Sequence, residues 1–468
     1  MTPAYTKINR NTIDELIAIV GSENVSTDNY EIEGYSSDEM AFSKPHAPEV
    51  IVKPVDSASI SKLMHFADNK RIPVTPRGAG TGVSGGCIPI FGGILLSLER
   101  LNHILEINRD NSTAIVEAGV TLEELHTAVE QQGLYFPIHL GDMSATIGGN
   151  IATNAGGMNA VKYGVIRHQV LGLEAVIPNG DIIKTGGQFV KCSTGYDLTQ
   201  LLTGSEGTLA IITKVILRLN NRMTKREVLF VPFNNLQDAI DSVPDILQLT
   251  TTPIGLEFME RSIIEIVEKH LNIELPYHEY EAFLMILMEG ESEDEITEYF
   301  SAVEMICKNH GAIDATMPNS ERAKRRLLNA RENFYNALRK FAPVELIDVV
   351  VPRNEIAKFV RTVKEISQKY EIPVIVYGHA GDGNVHLHPV CIDMDLNEWQ
   401  KRLPGLMKEI YHAGSSFGGA ISGEHGIGFG KKLYLINEID QGSLYVMKEI
   451  KKAFDPNNIL NPGKIFDM

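Results

Sequence analysis

The stretch from Arg77 to Gly207 sets the tightest limit on how this chain can fold. It is rich in glycine and β-branched residues, and its strand candidates are short: Thr113-Ala114-Ile115-Val116-Glu117 and Leu173-Glu174-Ala175-Val176-Ile177. Turns such as Asn179-Gly180-Asp181 punctuate it, so this half is expected to be mostly strand and loop. Loops held on a strand scaffold are where ligands bind. Two of them concentrate the glycine: Pro76-Arg77-Gly78-Ala79-Gly80-Thr81-Gly82 with Ser84-Gly85-Gly86, and the run from Gly141 to Gly157 that contains Thr146-Ile147-Gly148-Gly149-Asn150. Successive glycine N–H groups can converge on phosphate oxygens, and a missing Cβ lets a flat ring come close. A pyrophosphate-bearing nucleotide is the expected ligand, although a glycine cluster such as the first loop can equally be a tight turn. Neither loop has the strand-to-helix G-x-G-x-x-G setting with an acidic residue about 20 positions on, so a Rossmann NAD site is not indicated.

On the N-terminal side, residues 13–20 and 59–68 have helical apolar spacing, whereas 49–52 and 72–75 read as strands. After the strand candidate Ala210 to Leu219 the texture changes near Asn220-Asn221-Arg222. Longer helical patterns follow, Asp238 to Leu249 and the charged run Ser320 to Lys340, alternating with strand candidates such as Ala282 to Met288. A chain of 468 residues exceeds one ordinary core. We therefore expect an α+β second domain after residue 222. The turn-rich tail Phe454 to Lys464 need not belong to the domain before it.

A net charge of −17 works against affinity for nucleic acid or anionic lipid, which leaves a small molecule or a protein as partner. Cys87, Cys192, Cys307 and Cys391 are far apart and form no C-x-x-C, so reduced thiols are expected rather than an iron–sulfur cluster or a disulfide framework. Met1-Thr2-Pro3-Ala4-Tyr5 lacks the charged and apolar regions of a leader, and no apolar run reaches the roughly 20 residues of a spanning helix. A cytoplasmic location is the expectation.

The densest chemistry lies near the end, where Gly378-His379-Ala380-Gly381-Asp382-Gly383-Asn384-Val385-His386-Leu387-His388 is followed by Ser422-Gly423-Glu424-His425-Gly426. Histidine is a neutral metal ligand or a proton acceptor near pH 7. Two imidazoles and one carboxylate leave coordination positions open, the ligand set of a catalytic zinc or a non-haem iron. A metal-assisted redox or hydrolytic site is indicated.

Taken together, Pro76 to Thr81, Thr146 to Asn150, Tyr163-Gly164, Gly204-Ser205-Glu206-Gly207-Thr208-Leu209, Gly378 to Asn384, Gly423 to Gly426 and Asn461-Pro462-Gly463-Lys464 resemble the signature of FAD-linked 2-hydroxy-acid dehydrogenases. These form the D-lactate dehydrogenase, glycolate oxidase catalytic subunit and D-2-hydroxyglutarate dehydrogenase branch of the vanillyl-alcohol-oxidase-type flavoproteins. The seven segments fall in order from about residue 45 to 464. The resemblance implies an α+β protein with a two-subdomain FAD-binding domain over 1–222, returning with 415–468, and a cap or substrate domain over 223–414. Arg77, Gly78, Ala79, Gly80, Thr81 and Gly82 would line the pyrophosphate. Gly141, Thr146, Gly149, Asn150, Thr153 and Gly157 would continue along the cofactor, Glu206 and Ile211 would lie near the adenosine, and Asn461 near the ring. No histidine lies in the Arg77 to Gly86 loop, so noncovalent FAD is expected.

The same resemblance makes His379, His386 and Glu424 ligands of a divalent metal, Zn, Fe or Mn. It makes His425 the base that takes the hydroxyl proton while hydride passes to the flavin, and Arg331 the grip on the substrate carboxylate. The residue-level alternatives are that His425 orients Glu424 and that Arg331 is one more charge on a solvated helix beside Arg322, Lys324, Arg325, Arg326 and Arg339. Dicarboxylate-specific relatives carry lysine where Leu346 stands before Asp348-Val349-Val350-Val351-Pro352, so a small monocarboxylate is expected, lactate first and glycolate second. His388 either adds a polar contact or follows His386 by strand alternation. The chain supplies no NAD fold, haem motif or iron–sulfur ligands, and electron-transferring flavoprotein is the favoured acceptor. An acceptor that divides electrons between NAD and ferredoxin would make the net reaction bifurcating. A noncatalytic flavoprotein subunit would not need His379, His386, Glu424 and His425, all of which remain, and a flavin-free metal hydrolase would not need the Thr146 to Asn150 loop.

Overall fold

The structure is a computed structural model that describes residues 5–468; Met1–Ala4, part of the segment read for a leader, lie outside the described residues. The chain divides into two compact units. The first comprises residues 5–155, 165–222 and 424–468, and the second residues 156–164 and 223–423.

The first unit holds two main sheets. One has the order Val25–Ser26, Val50–Val52, Ile94–Ser97, Val74–Arg77, with the last three strands parallel. Val50–Val52 and Ile94–Ser97 are buried on both faces, which is why they read as continuous apolar runs. The crossover between Val50–Val52 and Val74–Arg77 is the helix Ser57–Lys70, opened by the Asp56 side chain accepting from the Ser59 N–H. The second sheet is antiparallel, in the order Ile104–Asn108, Thr113–Glu117, Ile211–Arg218, Val170–Val176, Ile182–Gly186. The tail completes the first sheet. Val74 N–H donates to the Ile459 carbonyl and Asn461 N–H to the Val74 carbonyl, so Leu460 pairs in parallel with Val74.

The second unit is built on a six-stranded antiparallel sheet in the order Lys225–Phe233, Ala282–Gly290, Gly255–Glu260, Val374–His379, Asn384–Pro389, Ile347–Val350. The charged run 320–340 forms two helices, Glu321–Glu332 and Phe334–Phe341, interrupted at Asn333.

Two boundaries differ from the sequence expectation. The return to the first unit begins at Glu424 rather than at 415, because residue 415 lies inside the helix Leu396–Ser416, which buries Trp399, Leu406 and Tyr411 within the second unit. The segment 156–164 also groups with the second unit: Lys162 Nζ lies 2.8 Å from Glu289 Oε1, and the Tyr163 hydroxyl bonds the same oxygen. Among the described residues, no helix is long and apolar enough to cross a membrane.

Candidate active site

In an antiparallel sheet, residues directly opposite one another share a face, and so do alternate residues of one strand. The register of the second unit sets Glu257 opposite His379, His379 opposite Asn384, Tyr377 opposite His386, His386 opposite Asp348 and Ile375 opposite His388. One face therefore carries Glu257, Asp348, His379, Asn384, His386 and His388, all buried. Val385 and Leu387 turn to the other face. The turn between the two histidine strands requires glycine at 383, where φ is +82° and a Cβ would run into the Val351 carbonyl.

Glu257, fully buried, joins two of the residues picked out from the sequence. Its Oε1 lies 2.7 Å from His379 Nδ1, and its Oε2 accepts from Arg331 Nε at 2.9 Å and from Arg331 Nη2. A carboxylate can only accept, so His379 Nδ1 carries a proton, and in the neutral ring the lone pair is then on Nε2. Burial alone would raise the Glu257 carboxyl; the charges of His379 and Arg331 and their hydrogen bonds hold it below the usual range. The Arg331 guanidinium lies 4.9 Å from the Tyr377 ring centroid and 5.5 Å from that of Phe334. Arg331 is thus buried on the inner side of its helix, whereas Arg322, Arg325 and Arg326 are not.

The ring centroids of His379 and His386 are 5.1 Å apart, edge to face. Asp348 accepts from Asn384 Nδ2 at 2.6 Å, Ser422 Oγ at 2.9 Å and Gly423 N–H at 3.0 Å. Ser422 and Gly423 are thereby fastened to the histidine sheet, and the next two residues along the chain are Glu424 and His425. His388 stacks on Tyr377, with centroids 4.9 Å apart and planes 18° apart, and lies 5.7 Å from the Tyr335 ring.

In the first unit, Glu424 and His425 open the returning segment. Ser84 Oγ donates to the carbonyls of His425 and Gly426, both at 3.1 Å. The Glu206 carboxylate accepts from the Ile427 and Gly428 N–H groups, both at 2.7 Å. The Glu206 side chain thereby anchors the stretch that follows His425. Burial pushes the Glu206 carboxyl up, while the two N–H groups pull it down. Ile211 is buried in the apolar core of the unit.

Arg77 reaches the segment 35–37, donating to the Ser37 carbonyl at 2.6 Å with its guanidinium 5.2 Å from the Tyr35 ring. Thr146 caps the helix Ile147–Thr153 by accepting from the Gly149 N–H, and a Cβ on Gly148 would strike Ala118. Gly157 falls in the segment assigned to the second unit.

Asp38, beside the first glycine loop, makes this region sensitive to pH. Burial pushes its carboxyl up to about 6, against the Met40 N–H and the Arg77 guanidinium, which favour the charged form. The folded chain therefore holds this proton at a pH where the unfolded chain, titrating near about 3.9, has released it. The stability it contributes is complete below about pH 4 and is lost as pH rises through about 6. Asp38→Asn is expected to flatten the fall of melting temperature over that interval; melts in a pH series check it, and an unaltered slope would clear Asp38.

A family model described as FAD linked oxidases, C-terminal domain, matches residues 222–465, and one described as FAD binding domain matches residues 48–186. The chain belongs to the FAD-linked oxidases. This FAD-linked oxidase is 44% identical to a D-lactate dehydrogenase of Archaeoglobus fulgidus over 423 residues, covering 90% of this chain and 92% of that one. It is 37% identical to a glycolate oxidase subunit of Bacillus subtilis over 462 residues, 98% of this chain and 97% of that one. Its fold matches that of p-cresol methylhydroxylase with a TM-score of 0.82 at 18% identity, covering 100% of this chain and 99% of the other, so it is a vanillyl-alcohol-oxidase-type fold.

The residues of the oxidase suit FAD. Asn150 Nδ2 and Asn461 Oδ1 are buried without a hydrogen-bond partner, as expected of atoms that complete their bonding on a bound polar group. Asn461 is held for this by donating through Nδ2 to the carbonyls of Gly86 and Glu206, at 2.9 and 2.8 Å. A Cβ on Gly141 would meet nothing within 4 Å, and one on Gly82 only Asp38 at 3.9 Å, so both loops border open space. The donor chemistry of the second unit suits a divalent metal: His379 has its outer nitrogen on a carboxylate, the arrangement that orients metal-binding histidines, and Asn384 Oδ1 is buried without a partner. Sequence reasoning misses Glu257 and Asp348. Their one signal is a carboxylate set between apolar neighbours inside a strand, Glu257 between Leu256 and Phe258 in Gly255–Glu260 and Asp348 between Ile347 and Val349 in Ile347–Val350.

Proposed function

We propose that this FAD-linked oxidase is a dehydrogenase that oxidises the alcohol of a small 2-hydroxy acid to the 2-oxo acid, with D-lactate as first substrate and glycolate as second. The observation that carries this reading is the buried Glu257 that joins His379 to Arg331, with His386 beside His379, in a chain similar to a D-lactate dehydrogenase and a glycolate oxidase subunit. FAD would supply an acceptor for the hydride from C2, and His379, His386 and Glu424 would hold a divalent metal that would supply Lewis acidity at the hydroxyl.

The chain's own residues do the rest. Of the five N–H donors of a guanidinium, two on Arg331 go to Glu257, and the others are offered to the substrate carboxylate. His425 takes the hydroxyl proton, a task suited to an imidazole working near neutral pH. Leu346, at the position where a lysine would meet a second carboxylate, favours a monocarboxylate. In this reading the electrons pass to a separate protein such as electron-transferring flavoprotein.

Anaerobic absorbance titration with D-lactate, L-lactate, glycolate and D-2-hydroxyglutarate tests the reading. Bleaching of the oxidised flavin band by D-lactate or glycolate is expected, and a band untouched by all four would overturn it. His386→Ala is expected to lower both bound metal, measured by elemental analysis, and turnover. Full turnover in metal-free protein would remove the metal from the proposal.

A further inference from the structure

Glu257 divides its two oxygens between the proposed metal ligand and the proposed substrate grip. Oε1 is 2.7 Å from His379 Nδ1, and Oε2 accepts both N–H groups of Arg331. The carboxylate has no exposed surface, so water cannot replace either bond. Both partners are constrained elsewhere as well: His379 by its place at the end of the strand Val374–His379, Arg331 by the Tyr377 and Phe334 rings. A small rotation of the carboxylate cannot improve one contact without disturbing the other.

We infer that Glu257 is a positioning residue that couples the two halves of the site, fixing the tautomer and aim of His379 and the orientation of Arg331 at once. The inference rests on the functional reading above and goes beyond it, since it makes metal affinity and carboxylate affinity depend on one buried side chain that touches neither ligand. Carboxylates in this position behind a metal-binding histidine affect metal affinity by about 10–100-fold. The chemistry of Glu257 differs from that pattern in having an arginine on its second oxygen.

The decisive variant is Glu257→Asp, which keeps the charge but is one methylene too short to span both partners. Two binding measurements are made on the FAD-loaded protein, neither of them turnover. Mn²⁺ affinity is measured by calorimetry with no anion present, and oxalate affinity from the shift of the flavin band after chelator treatment, with no metal present. Glu257→Asp is expected to weaken Mn²⁺ by about 10-fold or more and to weaken oxalate as well. Glu257→Gln, which keeps the length and loses the charge, is expected to weaken Mn²⁺ by a comparable factor and serves if the shorter side chain does not fold. Glu289→Asp, at another buried carboxylate of the same unit, paired with Lys162 and Arg226, is expected to lower the melting temperature without changing either affinity.

Mn²⁺ affinity equal to wild type in Glu257→Asp or Glu257→Gln would overturn the inference, as would oxalate affinity equal to wild type in Glu257→Asp. Equal losses in Glu289→Asp would overturn it too, by making the effect a general loosening. Failure of wild type itself to bind Mn²⁺ or oxalate would instead count against the functional reading.

Discussion

Replacing His425 by alanine is expected to slow flavin reduction by substrate by about 10²–10⁴-fold, the usual contribution of a positioned general base, while FAD stays bound. The second half of that expectation follows from how the segment is held. Its position depends on backbone groups: Ser84 Oγ on the carbonyls of His425 and Gly426, and the Glu206 carboxylate on the N–H groups of Ile427 and Gly428. None of these four bonds uses the imidazole, so all four survive its removal. Stopped-flow reduction under anaerobic conditions reads the rate, and the flavin spectrum of the purified variant reads the cofactor. Reduction at the wild-type rate would remove His425 from the base role.

The largest effect on stability is expected from Asp455→Ala. Asp455 Oδ2 bonds Lys451 Nζ at 2.5 Å and the Leu460 N–H at 2.8 Å, and Oδ1 accepts from the Ile459 N–H at 3.0 Å. Lys451 donates further to the carbonyls of Thr208 and Leu460, both at 2.8 Å. The ammonium and the carboxylate are both buried, and burial pushes the Lys451 amine down while Asp455 pulls it up. Deleting one partner of such a pair strands the other, at a cost of about 3–5 kcal/mol. The damage would centre on the Leu460 and Thr208 backbone. Asn461 is the next residue after Leu460, so a fall in FAD retention is expected alongside the lower melting temperature. Denaturant melts and flavin content after gel filtration check both; a loss of stability below about 1 kcal/mol would show that the pair is not held in water-free surroundings.

Much of the architecture is legible in the amino-acid sequence because it follows from local pattern. The strand Thr113–Glu117 coincides with its sequence reading, and the change of texture near Asn220 coincides with the unit boundary at Arg222. The rest depends on distant register. In Ile254-Gly255-Leu256-Glu257-Phe258-Met259, Glu257 is an isolated charge; its meaning appears only when Met259 pairs with Tyr377 and brings His379, 122 residues away, beside it. Arg331 sits among other cations, and helical periodicity alone does not say which of them faces inward. Nothing local in Gly204-Ser205-Glu206-Gly207 marks Glu206 as an anchor for backbone groups 221 and 222 residues later. The return point near 415 is displaced to Glu424 because the helix Leu396–Ser416 gives no sequence sign of which unit its apolar side covers.

The pairing of Leu460 with Val74 has a consequence for biosynthesis. The second unit needs only 156–164 and 223–423, so its residues have all been translated while residues 424–468 are still to come. The first unit has its remaining strands ready much earlier, yet the edge of its parallel sheet cannot be completed until residues 459–461 leave the ribosome. Contacts this far apart in sequence form slowly, and an unfinished sheet edge invites pairing with other chains. The nascent flavin unit therefore passes through a waiting period, and the emergence of residues 459–461 sets when its parallel sheet can first be completed.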